Sequence, residues 1–251
     1  MIHGVLLDLS GVLYNGDEPV AGAINAVKKL AAAGLPVRYI TNTTRSTRRM
    51  ILQRLARLGF EIAAEDIFTA PIASRQYIEA NNLKPFLLIH PDLEPEFSDI
   101  TGEPDAVLVG DAGDRFNYDN LNKAFRCLMN GAPLLAMGVN RYFCVGDKLS
   151  LDAGPFVHAL EYAGDTRAII LGKPSREFYS TAVKSLGCSP EKTVMVGDDV
   201  ESDVIGAVNA GLHGILVKTG KYIQGDEKKI TTTALCLADI NAAVDYILEQ
   251  I

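Results

Sequence analysis

Residues 5–11 read Val-Leu-Leu-Asp-Leu-Ser-Gly, so that the carboxylate of Asp8 directly follows a short apolar run. Such a run, ending in polar residues and glycine, is typical of a buried β-strand that leads into a turn. Ligands of open α/β sheets bind beyond the carboxyl ends of the strands, so we expect groups in such positions to converge. Three later apolar runs end in the same way: 37–40 before Thr41 and Asn42, 168–172 before Lys173, and 193–197 before Asp198 and Asp199.

A carboxylate, a hydroxyl, an ammonium and a carboxylate pair in one place predict a phosphoryl-transfer site. The carboxylate of Asp8 is the candidate nucleophile, since it can attack phosphorus and divide one difficult step into two. Its charge repels a phosphate dianion, so a divalent cation is expected. Mg²⁺ takes oxygen ligands, and we predict it as the cofactor, held by the side chains of Asp8 and Asp198. Taken alone, Asp8 would more simply be a turn residue; the order of all four segments favours the site.

The other polar groups complete the predicted site. Thr41 and Asn42 would donate hydrogen bonds to the phosphoryl oxygens, although such a polar run is also typical of a loop or a helix N-cap. Lys173 would neutralise developing negative charge and orient the nucleophile, whereas most isolated lysines are simply solvated. Asp199 and Asp203 are expected to support the metal ligands without binding the metal themselves.

Strand and helix signals alternate along the chain, which favours an α/β fold with a doubly wound, Rossmann-like parallel sheet. Between Thr41 and Lys173 lies a second alternating pattern, long enough for an independent domain. Because both residues should serve one site, the economical solution is an inserted domain. We predict a core of residues 1–70 and 168–251, interrupted by an α/β domain at 71–167.

Composition and charge argue against some classes of binding partner. The 251-residue chain has a formal net charge of −7, and its longest basic cluster, 45–57, has the apolar spacing of a helix, so nucleic acid is not an expected partner. No apolar stretch reaches the roughly 18 residues that span a membrane. The first residues show neither the charged n-region nor the cleavage site of a signal peptide, so no targeting signal is expected, and a cytoplasmic protein is expected. A homodimer is left open. Four cysteines without metal-site spacing are expected to be reduced: Cys127, Cys144, Cys188 and Cys236.

These four segments, in this order and covering the whole chain, resemble the motifs of the haloacid dehalogenase superfamily of aspartyl-phosphate hydrolases. The resemblance implies an aspartyl-phosphate intermediate on Asp8, a large α/β cap between the second and third motifs, and a small phosphorylated molecule or phosphoamino acid as substrate. It also implies that the backbone carbonyl of Ser10 is the third metal ligand and that Ser10 borders the substrate. A dehalogenase is disfavoured, because Thr41, Lys173 and Asp198 form a phosphate-binding set.

One position departs from the family pattern. Phosphatases of the family usually carry a second Asp two residues after the nucleophile, as the group that protonates the leaving group, whereas this chain has Ser10. Serine is a poor general acid, and general acid–base catalysis contributes about 10²–10⁴-fold. We therefore predict a preference for P–N or pyrophosphate bonds, or for a small activated phosphoester, because these leaving groups depend less on that acid. The alternative is a weakly active protein that binds or senses a phosphorylated ligand.

One stretch of the inserted domain is a candidate for substrate selection. Residues 139–154 lie between a predicted strand and a predicted helix, and binding residues often lie on such loops. We expect part of this stretch to select the leaving group, the alternative being an ordinary solvated loop. Its polar residues are Asn140, Arg141, Tyr142, Asp147, Lys148 and Asp152.

Overall fold

The structure is a computed structural model that describes residues 1–145, 148–230 and 233–251. The chain folds into two compact units. Unit 1 comprises Met1–Thr41, Arg48–Phe68 and Lys173–Ile251, and unit 2 comprises Asn42–Thr47 and Thr69–Gly172. The sequence prediction gave 71–167 to the inserted domain; in the structure, residues 42–47, 69–70 and 168–172 also belong to unit 2.

Strands and helices alternate through both units, as the sequence predicts. The strands are β1 (Gly4–Asp8), β2 (Tyr14–Asn15), β3 (Glu18–Pro19), β4 (Val37–Thr41), β5 (Ile67–Thr69), β6 (Pro85–Leu88), β7 (Ala106–Val109), β8 (Leu134–Ala136), β9 (Tyr142–Val145), β10 (Lys148–Leu151), β11 (Ile169–Ile170), β12 (Thr193–Gly197), β13 (His213–Val217) and β14 (Ala234–Leu237). The α-helices are α1 (Ala23–Ala32), α2 (Arg48–Arg57), α3 (Ala70–Ala80), α4 (Tyr118–Met129), α5 (Ala153–Gly164), α6 (Arg176–Leu186), α7 (Gly206–Asn209) and α8 (Ile240–Leu248).

A six-stranded sheet forms the centre of unit 1, in the order β14-β13-β12-β1-β4-β5. The pairings from β4 through β1, β12 and β13 to β14 are all parallel. The chain builds outward from β1 to β4 and β5 on one side, then returns to lay β12, β13 and β14 on the other. This is the strand order of the Rossmann fold, in which ligands bind where the order reverses. The predicted doubly wound α/β fold is confirmed, and the reversal falls between β1 and β12.

The burial of alternate strand residues explains why the sheet of unit 1 is stable. Val5 and Leu7 of β1 point to one face, where they join a core built with the apolar faces of α1 and α8. Those helix faces follow the helical repeat, with Val27 and Leu30 in α1 and Val244 and Ile247 in α8 among the buried residues. β1 is buried at all five positions, because neighbouring strands flank it and other parts of the chain cover both faces of the sheet. This burial accounts for its uninterrupted apolar run.

Unit 2 contains its own four-stranded parallel sheet, in the order β11-β8-β7-β6. Apolar clusters cover both faces, one including residues of α4 and α5 and the other including Ile78 of α3. The strand before Lys173, which the sequence prediction assigned to the core, is β11 and pairs with β8 of unit 2. Sequence patterns identify a strand here but not its sheet, because burial looks alike in either one.

The stretch 139–154 contains an antiparallel ribbon of β9 and β10 rather than an open loop. Asp147, one of its candidate recognition residues, lies outside the described residues. Three of the cysteines, Cys127, Cys188 and Cys236, are free and half-buried, in keeping with the prediction for them. Within the described ranges, no helix combines the length and apolar character needed to cross a membrane. The cytoplasmic location stays a prediction.

Candidate active site

The candidate site begins at the reversal of strand order in unit 1. Asp8 is the last residue of β1, and Asp198 directly follows the neighbouring strand β12. Parallel pairing brings the two strand ends level, with Leu7 opposite Val196. Thr41 ends β4 on the other side of β1, where Asp8 pairs with Ile40. Both aspartates and Thr41 are buried.

Lys173 joins these strand ends from unit 1. Its Nζ donates to Oδ1 of Asp8 at 2.6 Å and to Oδ1 of Asp203 at 2.7 Å. The three side chains are almost fully buried, with 4%, 10% and 1% of the side-chain surface exposed. Charged groups in such a place need compensating partners. The two carboxylates therefore fix the ammonium, and the ammonium in turn fixes the orientation of Asp8.

Asp203 is held by a turn that no pattern in the sequence predicts. Residues Val200–Ile205 form a π-helical turn, which Asp199 caps by accepting from the amides of Glu201 and Ser202 at 3.1 and 3.0 Å. The turn directs Asp203 back toward β12, where its Oδ2 accepts from the amide of Asp199 at 3.2 Å. Gly197 makes room for it, since a Cβ there would lie 2.2 Å from that of Asp203.

Asp198 lies in a tight cradle of backbone. The amide of Lys221 donates to its Oδ2 at 2.6 Å. A Cβ at Gly11 or Gly220 would lie 1.9 or 2.0 Å from the same oxygen, and both glycines have a positive φ. Thr219 links the loop after β13 to the loop after β1, because its hydroxyl donates to the carbonyl of Gly11 at 2.5 Å.

The loop 219–221 was missed in the sequence prediction. It follows the buried strand β13, so the rule that drew attention to the other strand ends applied to it as well. Lys218 directly follows that strand, and this polar but unremarkable residue gave no chemical signal. The functional atoms of the loop are largely backbone atoms, to which residue type is a poor guide.

Burial and neighbouring negative charge raise the pKa values of Asp8, Asp198 and Asp203. Burial raises the pKa of Asp198 to about 6, and Asp203 nearby adds to the effect. Burial likewise raises the pKa of Asp203 to about 6 despite Lys173, and that of Asp8 is raised in the same direction. Burial alone would lower the pKa of Lys173, but Asp203 and Asp8 raise it, so this lysine stays charged.

The donor set suits a hard divalent cation. Asp8, Asp198 and Asp203 each offer one carboxylate oxygen, and these oxygens lie within 4.8 Å of one another. Three buried carboxylates face one buried ammonium, so the cluster carries excess negative charge. Carboxylate oxygens are ligands that Mg²⁺ prefers. An acidic cluster able to hold a metal ion is thus present in the described part of the chain.

The remaining predicted residues are Ser10, Asp199 and Asn42. Ser10 is exposed and forms an isolated bridge with Tyr14, two residues past Asp8. Asp199 caps its turn and accepts from Nζ of Lys221 at 3.2 Å. Asn42 follows Thr41 in sequence but belongs to unit 2. The structure therefore brings together Asp8, Thr41, Lys173, Asp198, Asp199 and Asp203 within unit 1.

The chain is similar to known proteins in both sequence and fold. Two family models match: one described as haloacid dehalogenase-like hydrolase over residues 5–101, and one described as HAD-hydrolase-like over residues 170–243. Among solved structures, a 4-nitrophenylphosphatase from Thermotoga maritima shares the fold with a TM-score of 0.89 and 22% identity, covering 97% of each chain. NagD from E. coli has a TM-score of 0.85 and 25% identity, covering 94% of this chain and 96% of its own.

Curated relatives match along the whole length. Haloacid dehalogenase-like hydrolase domain-containing protein 2 of Bos taurus is 46% identical over 252 residues, covering 100% of this chain and 97% of its own. A phospholysine phosphohistidine inorganic pyrophosphate phosphatase of Danio rerio is 42% identical over 255 residues, covering 98% and 94%. The chain therefore belongs to the haloacid dehalogenase-like hydrolases, as its four motifs predict.

Proposed function

We propose that the protein is a Mg²⁺-dependent phosphohydrolase that works through an aspartyl-phosphate on Asp8. The observation that carries the proposal is the buried Lys173, whose ammonium binds Asp8 and Asp203 together. In the first step an oxygen of Asp8 bonds to phosphorus while the bond from phosphorus to the leaving group breaks. In the second step water hydrolyses the acyl phosphate, releasing phosphate and restoring the carboxylate.

Each residue of the site has a part in this scheme. Lys173 holds one oxygen of Asp8 and offsets negative charge near the phosphoryl group. Thr41, Asn42 and the exposed Ser10 are proposed to contact the phosphoryl oxygens. Glycines at positions 11 and 220 let the backbone approach Asp198 closely, which holds that carboxylate at the end of its strand.

Asp8, Asp198 and the carbonyl of Ser10 are the proposed Mg²⁺ ligands. The cation, when bound, reduces the repulsion between the carboxylates and a phosphate dianion. Asp203 belongs to the same acidic cluster, but its two oxygens already accept from Lys173 Nζ and the amide of Asp199. This supports a role for Asp203 in orienting the lysine, with Asp199 shaping the adjoining turn.

We propose P–N or pyrophosphate bonds in a small phosphorylated molecule as the preferred targets. The name of the Danio rerio relative includes phospholysine, phosphohistidine and inorganic pyrophosphate. The presence of a hydroxyl at Ser10, in place of a carboxyl group, supports the same preference because such leaving groups need less help from a general acid. The alternative, a weakly active phosphate-binding protein, predicts negligible turnover of every one of these substrates.

Unit 2 is proposed as the cap that the sequence resemblance implies. It is inserted in sequence between Thr41 and Lys173, and it has its own sheet and cores. The proposal that residues 139–154 select the leaving group is retained. It would be wrong if a substrate-bound structure placed the described part of this stretch far from Asp8.

The decisive experiment compares phosphate release from pyrophosphate, phosphoimidazole and an alkyl phosphoester by the purified protein, with Mg²⁺ and with a chelator. Turnover should require Mg²⁺ and favour the first two substrates. Asp8→Asn should abolish turnover with the fold retained, and mass spectrometry of acid-quenched wild-type protein should find the phosphoryl group on Asp8. Full activity of Asp8→Asn would show that the covalent mechanism is wrong.

A further inference from the structure

A short segment after Thr41 is fastened to the sheet of unit 2. Residues Asn42–Thr47 belong to this unit, whereas Thr41 and the helix that begins at Arg48 belong to unit 1. The chain therefore leaves unit 1 directly after one proposed phosphoryl contact, and the other, Asn42, is the first residue on the far side of that junction.

The fastening centres on a pair of opposite charges. Arg45 donates from Nε to Oδ2 of Asp111 at 2.5 Å and from Nη2 to Oδ1 at 3.1 Å. This two-point contact fixes direction as well as distance. Asp111 is only 5% exposed and follows β7 by two residues. The guanidinium also lies over the ring of Phe143, 4.8 Å from its centroid, which is a favourable cation–π geometry.

A second hydrogen bond beside the ion pair comes from the backbone. The amide of Asp111 donates to Oγ1 of Thr44 at 3.0 Å in a buried position. The amide of Gly113 donates to Oδ1 of Asp111 at 3.2 Å, which keeps the carboxylate pointing at Arg45. The loop after β7 thus binds two adjacent residues of the segment.

Glycines after the strands of unit 2 bring the segment close to the sheet. A Cβ at Gly172 would lie 2.8 Å from Oδ1 of Asn42, and a Cβ at Gly110 would lie 3.4 Å from the Cβ of Thr44. Any larger residue at Gly172 would also meet the carbonyl of Met137 at 2.1 Å. The amide side chain of Asn42 is therefore packed against the carboxyl edge of this sheet.

We propose that Arg45 and Asp111 are positioning residues for Asn42, so that unit 2, rather than the strand that carries Thr41, sets where the Asn42 amide is held. The inference rests on the proposed function, in which Asn42 donates to the phosphoryl group. Neither Arg45 nor Asp111 is given any contact with substrate. Their effect on phosphate binding passes through Asn42.

The test uses the full chain and inorganic phosphate as a competitive inhibitor. Arg45→Gln should raise the inhibition constant of phosphate about three- to tenfold, a part of the roughly tenfold or greater loss expected when a hydrogen bond to a charged group is removed entirely. Arg75→Gln is the matched control. It breaks another two-point pair of unit 2, Arg75 with Asp99, and should leave the constant within about twofold.

A double-mutant cycle separates positioning from general damage. Asn42→Ala should raise the inhibition constant, and adding Arg45→Gln should then change it little, because the two residues act on one contact. An equal effect of Arg45→Gln with and without Asn42 would overturn the inference. Should Arg45→Gln fail to fold, Arg45→Lys replaces it, since lysine keeps the charge but cannot reproduce the two-point contact.

A spectroscopic readout keeps the inference separate from the proposed function. Arg45→Gln should shift the side-chain amide resonance of Asn42 in the NMR spectrum, and Arg75→Gln should not. An unshifted resonance would overturn the positioning role. An unchanged inhibition constant for Asn42→Ala, together with a resonance that shifts in Arg45→Gln, would show that positioning is right and that the proposed phosphoryl contact is wrong.

Discussion

Nζ of Lys173 lies 2.6 Å from Oδ1 of Asp8, although 165 positions separate the two residues in sequence. Both side chains are buried, so water cannot solvate either charge, and each charge depends on the other for compensation. The pair is therefore a constraint on the fold as well as on the chemistry. It brings the end of the first strand and the start of the last long segment of unit 1 to one point.

Lys173→Met should be costly to both stability and turnover. It leaves Asp8 and Asp203 buried without their shared cation, and removing one partner of a buried pair typically costs about 3–5 kcal/mol. Lys221→Met is the matched control, because Lys221 also pairs with an aspartate, at 3.2 Å, but 67% of its side chain is exposed. Its loss should lower the free energy of unfolding by only about 0–1 kcal/mol.

Urea unfolding of both variants, followed by circular dichroism, would measure the difference. A loss for Lys173→Met no larger than that for Lys221→Met would contradict the prediction. Turnover of pyrophosphate, measured on the folded fraction, should fall to background for Lys173→Met because nothing then orients Asp8.

The sequence was sufficient to predict that Asp8, Thr41 and Asp198 lie at strand ends, because each follows an apolar run and strand ends are where α/β proteins bind ligands. It also predicted that Lys173 lies beside Asp8. The roles of these residues stay predictions. The sequence was insufficient for the sheet to which a strand belongs. The run before Lys173 is β11 of unit 2, and its pairing with β8 depends on tertiary packing rather than on local pattern. The grouping of residues 42–47 with unit 2 could not be predicted for a related reason, since the hydrogen bond from Arg45 to Asp111 joins residues 66 positions apart.

Gly220→Ala should damage the site more than a comparable glycine substitution elsewhere. Gly220 has φ 59°, and its added Cβ would lie 2.0 Å from Oδ2 of Asp198. Gly16 has a similar φ of 55° but nothing within 4 Å of an added Cβ, so Gly16→Ala pays only the backbone strain, about 1–2 kcal/mol. Gly220→Ala adds a clash to that strain and should weaken Mg²⁺ binding.

Isothermal titration with Mg²⁺ and urea unfolding of the two variants would check this. Gly16→Ala should bind Mg²⁺ as wild type does once its smaller stability is taken into account. If Gly220→Ala bound Mg²⁺ as tightly as the wild type, the position of Asp198 would not determine the Mg²⁺ affinity.

Asp99 should titrate far below a normal aspartate. The hydrogen bonds from Arg75 are the main cause, and they lower the pKa of Asp99 from 3.8 to about 2. A folded-state pKa below the unfolded value stabilises the protein above about pH 4, and this stabilisation is lost as pH falls from about 4 through about 2. In Arg75→Gln the pKa should return toward 3.8 and this pH dependence should shrink. Carboxyl-carbon NMR of both proteins measures it directly; a pKa near 3.8 in wild type would contradict the prediction.

Ser10→Asp should change which leaving groups the enzyme tolerates. It restores a carboxyl group two residues after Asp8 and leaves the backbone carbonyl of residue 10 in place, and the exposure of Ser10 leaves room for the larger side chain. Turnover of an alkyl phosphoester should rise by up to roughly 10²-fold. Turnover of phosphoimidazole should change much less, because its leaving group gains a proton without that acid.

The ratio of the two rates is the measurement, since changes in folding and metal occupancy cancel in it. A pH profile of both proteins is needed, because the added charge shifts the protonation of the neighbouring carboxylates. An unchanged ratio in a folded, Mg²⁺-binding variant would show that residue 10 does not set leaving-group preference, and residues 139–154 would then be the next candidates.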